Sequence, residues 1–211
     1  MDRLLPRFYP IVDTALLERR GLDAERFAAL LVEEGAGILQ IRHKGTLTRQ
    51  VFGLMGRIRA RCAEAGTLCI INDRADVAAL LGAGLHLGQE DLPPALARRV
   101  APAALIGLST HNEAQAVRGV REPVDYLAIG PLFATGTKEN PDPVVGLDGV
   151  KRVRALTHLP LVAIGGITVE TAAAVLEAGA DSVAVIGDLA PEGRSETTVR
   201  ERIRLWLQAT K

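Results

Sequence analysis

The 211-residue chain carries 25 Lys plus Arg against 25 Asp plus Glu, so its formal net charge is zero. That balance lacks the basic excess of a nucleic-acid binder, and an aromatic content of 3% leaves little for base stacking. At 48% hydrophobic the chain has enough apolar material for a sizeable core, yet no apolar run approaches the ~20 residues of a membrane span.

The N-terminal stretch lacks the apolar segment of a secretion signal. Cys62 and Cys69 form neither a disulfide framework nor a metal-ligand spacing. They read as small core residues of a reducing compartment, and the expected location is the cytoplasm.

One unit repeats along the chain: a short apolar run, a polar turn, then an amphipathic run. A strand is predicted over 7–12, with Asp13 at its end. Phe27, Leu30 and Leu31 mark a helix over 22–34, and glycines at 35 and 37 stop it before a strand over 38–42. A helix over 48–65 closes at Gly66, followed by a strand over 68–71, a helix over 75–81 and a strand over 85–87. The helix over 93–100 has proline in its first turn, where a missing N–H costs little. A strand over 104–108 and a helix over 112–120 follow, then a strand over 126–129 and a long loop over 130–146. The last units are a helix over 147–156, a strand over 161–164, a helix over 171–178, a strand over 182–186 and a helix over 197–208.

A helix-end, glycine-alanine, strand layout recurs near residues 34, 81 and 178. Strands alternating with helices argue for a parallel sheet, and eight such units in this length argue for a single TIM (β/α)8 barrel domain over 1–211. An open doubly wound sheet would have fewer units. In a barrel the chemistry sits on the loops after the strands, and this rule selects the polar residues that matter.

Asp73 and Asp91 follow neighbouring strands. Two carboxylates at one mouth repel each other unless a proton or cation separates them. Mg²⁺ takes one or two carboxylates and completes its shell with water and phosphate oxygens. Taken alone, each aspartate also reads as a helix N-cap. Alternation puts Gln40, Arg42 and Lys44 on one side of the second strand, where arginine and lysine would hold phosphate oxygens. Ser109 ends the fifth strand, and also reads as a cap. The loop over 130–138, Gly-Pro-Leu-Phe-Ala-Thr-Gly-Thr-Lys, is rich in donors to an anion and does not have Walker A spacing. Gly165 and Gly166 after the seventh strand, with Gly187 after the eighth, predict a backbone phosphate cradle. His86 reads as a packed residue supporting the site, Trp206 as core, and the charged segment 194–204 as a solvated helix face. The inventory is one metal site and two anion sites, one cationic and suited to a diphosphate, the other neutral and suited to a monophosphate.

Those stretches resemble the thiamine-phosphate synthase family along nearly the whole chain: Gln-Ile-Arg-His-Lys at 40–44, Asn-Asp at 72–73, His-Leu-Gly-Gln-Glu-Asp at 86–91, Gly-Leu-Ser-Thr-His at 107–111, the loop at 130–138 and Ala-Ile-Gly-Gly-Ile at 163–167. The resemblance implies a TIM-barrel enzyme that joins hydroxymethylpyrimidine diphosphate to thiazole phosphate, giving thiamine phosphate and pyrophosphate. In that family the diphosphate leaves first and the thiazole nitrogen captures the pyrimidine cation.

By motif, Gln40, Ile41, Arg42, His43, Lys44, Asn72, Ser109 and Lys138 would hold the pyrimidine diphosphate, with Arg42, Lys44, Ser109 and Lys138 acting in catalysis. Asp73 and Asp91 would hold Mg²⁺. Thr135, Gly136, Thr137, Gly166, Ile186 and Gly187 would hold the thiazole phosphate. The chain departs from the family where Gly187 replaces a common serine, and over 188–191. The expected partners are small-molecule substrates, with neither nucleic acid nor membrane, and a homo-oligomer is compatible with the reading. The rivals are a thiazole tautomerase on the same barrel and a non-catalytic phosphometabolite-binding barrel. An aldolase would need a Schiff-base lysine inside a strand, whereas the four lysines, Lys44, Lys138, Lys151 and Lys211, are predicted outside strands.

Overall fold

A computed structural model describes residues 5–135, 142–190 and 195–211. Eight parallel strands close into a barrel in sequence order: β1 Phe8–Asp13, β2 Ile38–Arg42, β3 Leu68–Asn72, β4 Gly84–Leu87, β5 Ile106–Thr110, β6 Tyr126–Ile129, β7 Leu161–Ile164 and β8 Ser182–Val185. The helices between them are α1 Thr14–Arg19, α2 Ala24–Glu33, α3 Arg49–Ala65, α4 Ala75–Leu81, α5 Pro94–Val100, α6 Glu113–Gly119, α7 Gly146–Arg154, α8 Val169–Glu177 and α9 Glu196–Ala209. The predicted barrel is therefore found. The sequence reading missed α1, which Asp13 caps by accepting from Leu16 N at 2.9 Å. It also ended the fifth strand too early, since Ser109 and Thr110 lie within β5.

Period-two alternation builds two cores from the same strands. Val12, Leu39, Ile41, Ile71, Leu85 and Leu127 face outward and pack under the helices in one large cluster. Tyr9, Ile11, Ile38, Ile70, Tyr126, Ala128, Val162 and Ala184 fill the barrel interior. Register sets who meets whom inside. Asn72 pairs with His86, His86 with Gly107, and Gly107 with Tyr126. Glycine is required at 107 because a Cβ there would stand 2.0 Å from Tyr126 Cζ; the Tyr126 ring fills the space over it. Gly107→Ala is therefore expected to destabilise the barrel by about 1–3 kcal/mol, the usual cost of overpacking. A thermal melt that left Tm unchanged would contradict the packing.

The N-terminal end of the strands carries a repeated brace. Asp125 Oδ2 accepts from Ile106 N at 2.7 Å and from Arg98 Nη2 at 2.8 Å. Asp181 Oδ2 accepts from Leu161 N and from Arg154 Nη1, both at 2.8 Å. A cavity of about 950 Å³ at this end is lined by these pairs, whose arginines are committed to carboxylates and backbone carbonyls. Across the closing seam, Trp206 of α9 is fully buried and stacks on Phe8, with ring centroids 5.9 Å apart. The charges of α9 are not merely solvated, contrary to the sequence reading: Arg200 and Arg204 reach Glu34 of the α2 end at 2.7 Å each. No described helix is long and apolar enough to cross a membrane.

Candidate active site

The opposite, C-terminal end of the strands opens into a mouth of about 820 Å³. Gln40 and Arg42 of β2 point into it, with Lys44 just beyond. Arg42 is ion-paired to the nearly buried Asp13, which fixes the guanidinium over the mouth from one side. Lys44 Nζ lies 2.5 Å from Asp73 Oδ2, with the lysine side chain half exposed.

Asp73 is the one non-glycine residue with positive φ among the described residues, at φ 66°. Aspartate tolerates this left-handed conformation better than most residues, and the turn throws its carboxylate off the end of β3 instead of onto the next helix. The caps settle the alternative reading. The N-cap of α4 is Arg74 and that of α5 is Pro93, neither with a side-chain cap bond. Asp91 instead accepts from Gly88 N at 2.6 Å and meets Asp73. Burial, together with the adjoining Asp73 carboxylate, pushes Asp91 above the ordinary carboxylate range.

A contacting carboxylate pair wants a proton or a cation between its members. No cluster of three or more metal-ligating His, Cys, Asp or Glu occurs among the described residues, so a zinc-type site is absent there. The donor set matches Mg²⁺, which takes few protein ligands and completes its shell from phosphate and water. Next to the pair, Asn72 is buried and its Nδ2 has no hydrogen-bond partner. A buried amide left this way costs free energy, and it lines the mouth as a donor for a bound acceptor.

Opposite, the loops after β6, β7 and β8 form a wall of Thr135, Gly165, Gly166, Ile186 and Gly187, and the carboxylate of Asp142 from the β6 loop also lines the mouth, 3.5 Å from His111 Nδ1. Gly166 has φ 65°, and a Cβ there would lie 2.6 Å from Ala134 O and 2.8 Å from Phe133 Cβ. The β7 loop thus packs its bare backbone against the β6 loop. Behind Gly187, Arg20 Nη1 donates to its carbonyl at 2.8 Å. Asp188 is turned toward α9, where its carboxylate accepts from Trp206 Nε1 at 2.8 Å and pairs with Arg202. The unusual aspartate is therefore neutralised from behind and does not repel an anion on this wall.

Residues 8–189 match the family model described as thiamine monophosphate synthase. The chain belongs to that family. It is 46% identical over 198 residues to a thiamine-phosphate synthase of Koribacter versatilis, covering 92% of this chain and 93% of the relative. A thiamine-phosphate synthase of Chloroflexus aurantiacus is 42% identical over 181 residues, covering 85% and 83%. The solved thiamine phosphate pyrophosphorylase of Pyrococcus furiosus superposes with a TM-score of 0.83 at 30% identity, covering 99% of this chain and 98% of that one.

Within this thiamine monophosphate synthase barrel, the mouth gathers Gln40, Arg42, Lys44, Asn72, Asp73, Asp91, Ser109, Thr135, Gly166, Ile186 and Gly187. Two sequence assignments need correction. Ile41 is fully buried in the outer cluster, because alternation turns it away from its neighbours Gln40 and Arg42. His43 turns back outside the mouth, with Nδ1 2.8 Å from Thr14 Oγ1. Gly136, Thr137 and Lys138 lie outside the described residues. Ser109 is no helix cap, since Asn112 caps α6; its hydroxyl meets His86 Nε2 at 2.8 Å. Burial lowers the His86 pKa to about 4, so the ring is neutral near pH 7.

Sequence reasoning missed Asp13 as the partner that holds Arg42, although its strand-end position was visible. It also assigned no role to Tyr9, which lines the mouth, or to Tyr126, whose hydroxyl meets His86 Nδ1.

Proposed function

We propose that this mouth binds an aminopyrimidine diphosphate beside Arg42 and Lys44, and a thiazole phosphate against the glycine wall. The chain is a thiamine-phosphate synthase, an alkyl transferase that releases pyrophosphate. The observation that carries the site assignment is the contacting pair Asp73 and Asp91, flanked by Lys44 and Arg42 and facing a backbone wall across one mouth.

Asp73 and Asp91 would hold Mg²⁺, which when bound would supply charge neutralisation for a diphosphate leaving group. The residues of the chain supply the rest. Arg42 offers a planar fork and Lys44 a point charge to the phosphate oxygens as negative charge builds on them. Asn72 Nδ2 gives a further donor. The bond between the pyrimidine methylene carbon and the diphosphate oxygen breaks, the electron pair leaving with the oxygen. The thiazole nitrogen lone pair then closes on that carbon, so the nucleophile has no proton to lose. His86, with both ring nitrogens in hydrogen bonds to Tyr126 and Ser109, and Asp188, paired with Arg202, accord with a site that needs no general base. Thr135, Gly166, Ile186 and Gly187 would fix the thiazole phosphate so that its nitrogen faces the carbon. The free, buried Cys62 and Cys69 support a reducing, cytoplasmic setting.

The test is pyrophosphate release by the full chain, with each substrate alone, with both, and with or without Mg²⁺. Release that requires both substrates and the metal is the expected result. Thiazole phosphate binding without any release would instead favour the tautomerase reading.

A further inference from the structure

Five side chains join across the barrel interior in one unbranched chain of hydrogen bonds. Gln40 Nε2 donates to Tyr9 Oη at 3.0 Å, and Tyr9 Oη meets Tyr126 Oη at 2.9 Å. Tyr126 Oη meets His86 Nδ1 at 2.9 Å, and His86 Nε2 meets Ser109 Oγ at 2.8 Å. The two tyrosines and Gln40 are buried, and the His86 ring stacks on Tyr126 with centroids 5.5 Å apart. Both ends of the chain, Gln40 and Ser109, line the mouth.

The hydrogens in this chain cannot be placed independently. Each hydroxyl has one hydrogen, and a neutral imidazole has one N–H and one bare nitrogen. Only two orders leave no buried contact without its hydrogen. In the first, the Gln40 amide donates to Tyr9, Tyr9 to Tyr126, Tyr126 to His86 Nδ1, and His86 Nε2–H to Ser109 Oγ. Ser109 then shows the mouth a donor hydrogen, while Gln40 shows its carbonyl oxygen. In the second, every bond reverses: Ser109 shows a lone pair and Gln40 its amide hydrogens. A mixed order would leave a buried polar group unpaired, which a low-dielectric interior penalises.

We infer that this chain is a polarity relay that couples Gln40 to Ser109, so that the site accepts only a ring presenting a donor to one of them and an acceptor to the other. Tyr9, Tyr126 and His86 are its positioning residues. The inference rests on the pyrimidine-diphosphate reading of the mouth. An aminopyrimidine edge, with an exocyclic amino donor and ring-nitrogen acceptors, has the required mixed polarity. Its 4-methoxy counterpart turns the exocyclic donor into an acceptor and leaves the ring nitrogens as acceptors, so it changes the polarity at one end only and sets the relay against itself.

The experiment measures kcat/KM for the aminopyrimidine diphosphate and for its 4-methoxy analogue by pyrophosphate release, on wild type, Tyr126→Phe and Tyr9→Phe. Each variant keeps the ring and cuts the relay at a different bond. The expected result is that wild type rejects the methoxy analogue strongly, as sites built around polar contacts do. In both variants the amino-to-methoxy preference should drop by about tenfold or more, the scale of one hydrogen bond lost, with the KM for thiazole phosphate unchanged. A merely structural role for the tyrosines would lower turnover of both pyrimidines alike and leave their ratio at the wild-type value; that outcome in either folded variant overturns the relay. If wild type releases no pyrophosphate, the functional reading fails instead, and the two failures are told apart by the wild-type control.

Discussion

Replacing Asp73 by asparagine is expected to lower Mg²⁺-dependent turnover by on the order of 10²–10³, the scale seen when one electrostatic stabiliser of a transition state is removed. Asparagine is the informative substitution because Asp73 sits at φ 66°. Asparagine accepts that left-handed conformation nearly as well as aspartate does, whereas alanine would add backbone strain and confuse lost charge with a damaged turn. The ion pair that is lost, with a half-exposed Lys44, contributes little to stability, so the melting temperature should hardly move. Asp91→Asn should behave in the same way, since an amide oxygen can still accept from Gly88 N. Two readouts decide the matter. Mg²⁺ affinity, measured by calorimetry without substrate, should fall in both variants, and pyrophosphate release should fall with it. Near-normal values of both in both variants would sink the metal assignment.

Gly166→Val is expected to raise the KM for thiazole phosphate by at least about tenfold and to lower Tm, with smaller effects on the KM for the pyrimidine diphosphate. The strain has two sources. The residue has φ 65°, costing a non-glycine residue about 1–2 kcal/mol and more for a β-branched one. Its Cβ would also stand 2.6 Å from Ala134 O, which is a backbone atom and cannot rotate aside. The β6 and β7 loops would have to part, and the wall between Thr135 and Gly187 would lose its shape. For a protein of this size each kcal/mol lowers Tm by roughly 2–4 °C, so a drop of several degrees should accompany the kinetic change. A variant that melts earlier yet binds thiazole phosphate normally would place that phosphate elsewhere in the mouth.

The contrast between these positions shows where sequence reasoning stops. The barrel was legible because each strand is a short apolar run and each helix an amphipathic one, and both periods are local properties of the chain. β2, β6, β7 and α4 have the bounds the pattern gave them, and β1, β3, β4 and β8 lie within one residue of theirs at each end. Strand ends that carry Asp73, Asp91 and the glycines could be found by the same reasoning, because a parallel barrel gathers the C-terminal ends of all its strands at one mouth. Helix α1 was not legible, since its six residues are too few to display a period, and it depends on the Asp13 cap.

The sequence by itself determined the repeat, the closed fold it implies, and the chemical kinds of residue at the strand ends. Only the tertiary structure decided how those residues engage one another. That Asp73 and Asp91 touch, that Asp13 holds Arg42, and that Asp188 turns away toward Trp206 depends on loops that meet from distant parts of the chain. The relay from Gln40 to Ser109 depends on register: Tyr126 crosses over Gly107 to His86 because the strands are staggered as they are around the barrel. Periodicity gives the face of a strand on which a side chain lies, but the barrel's closure selects its partners across the interior.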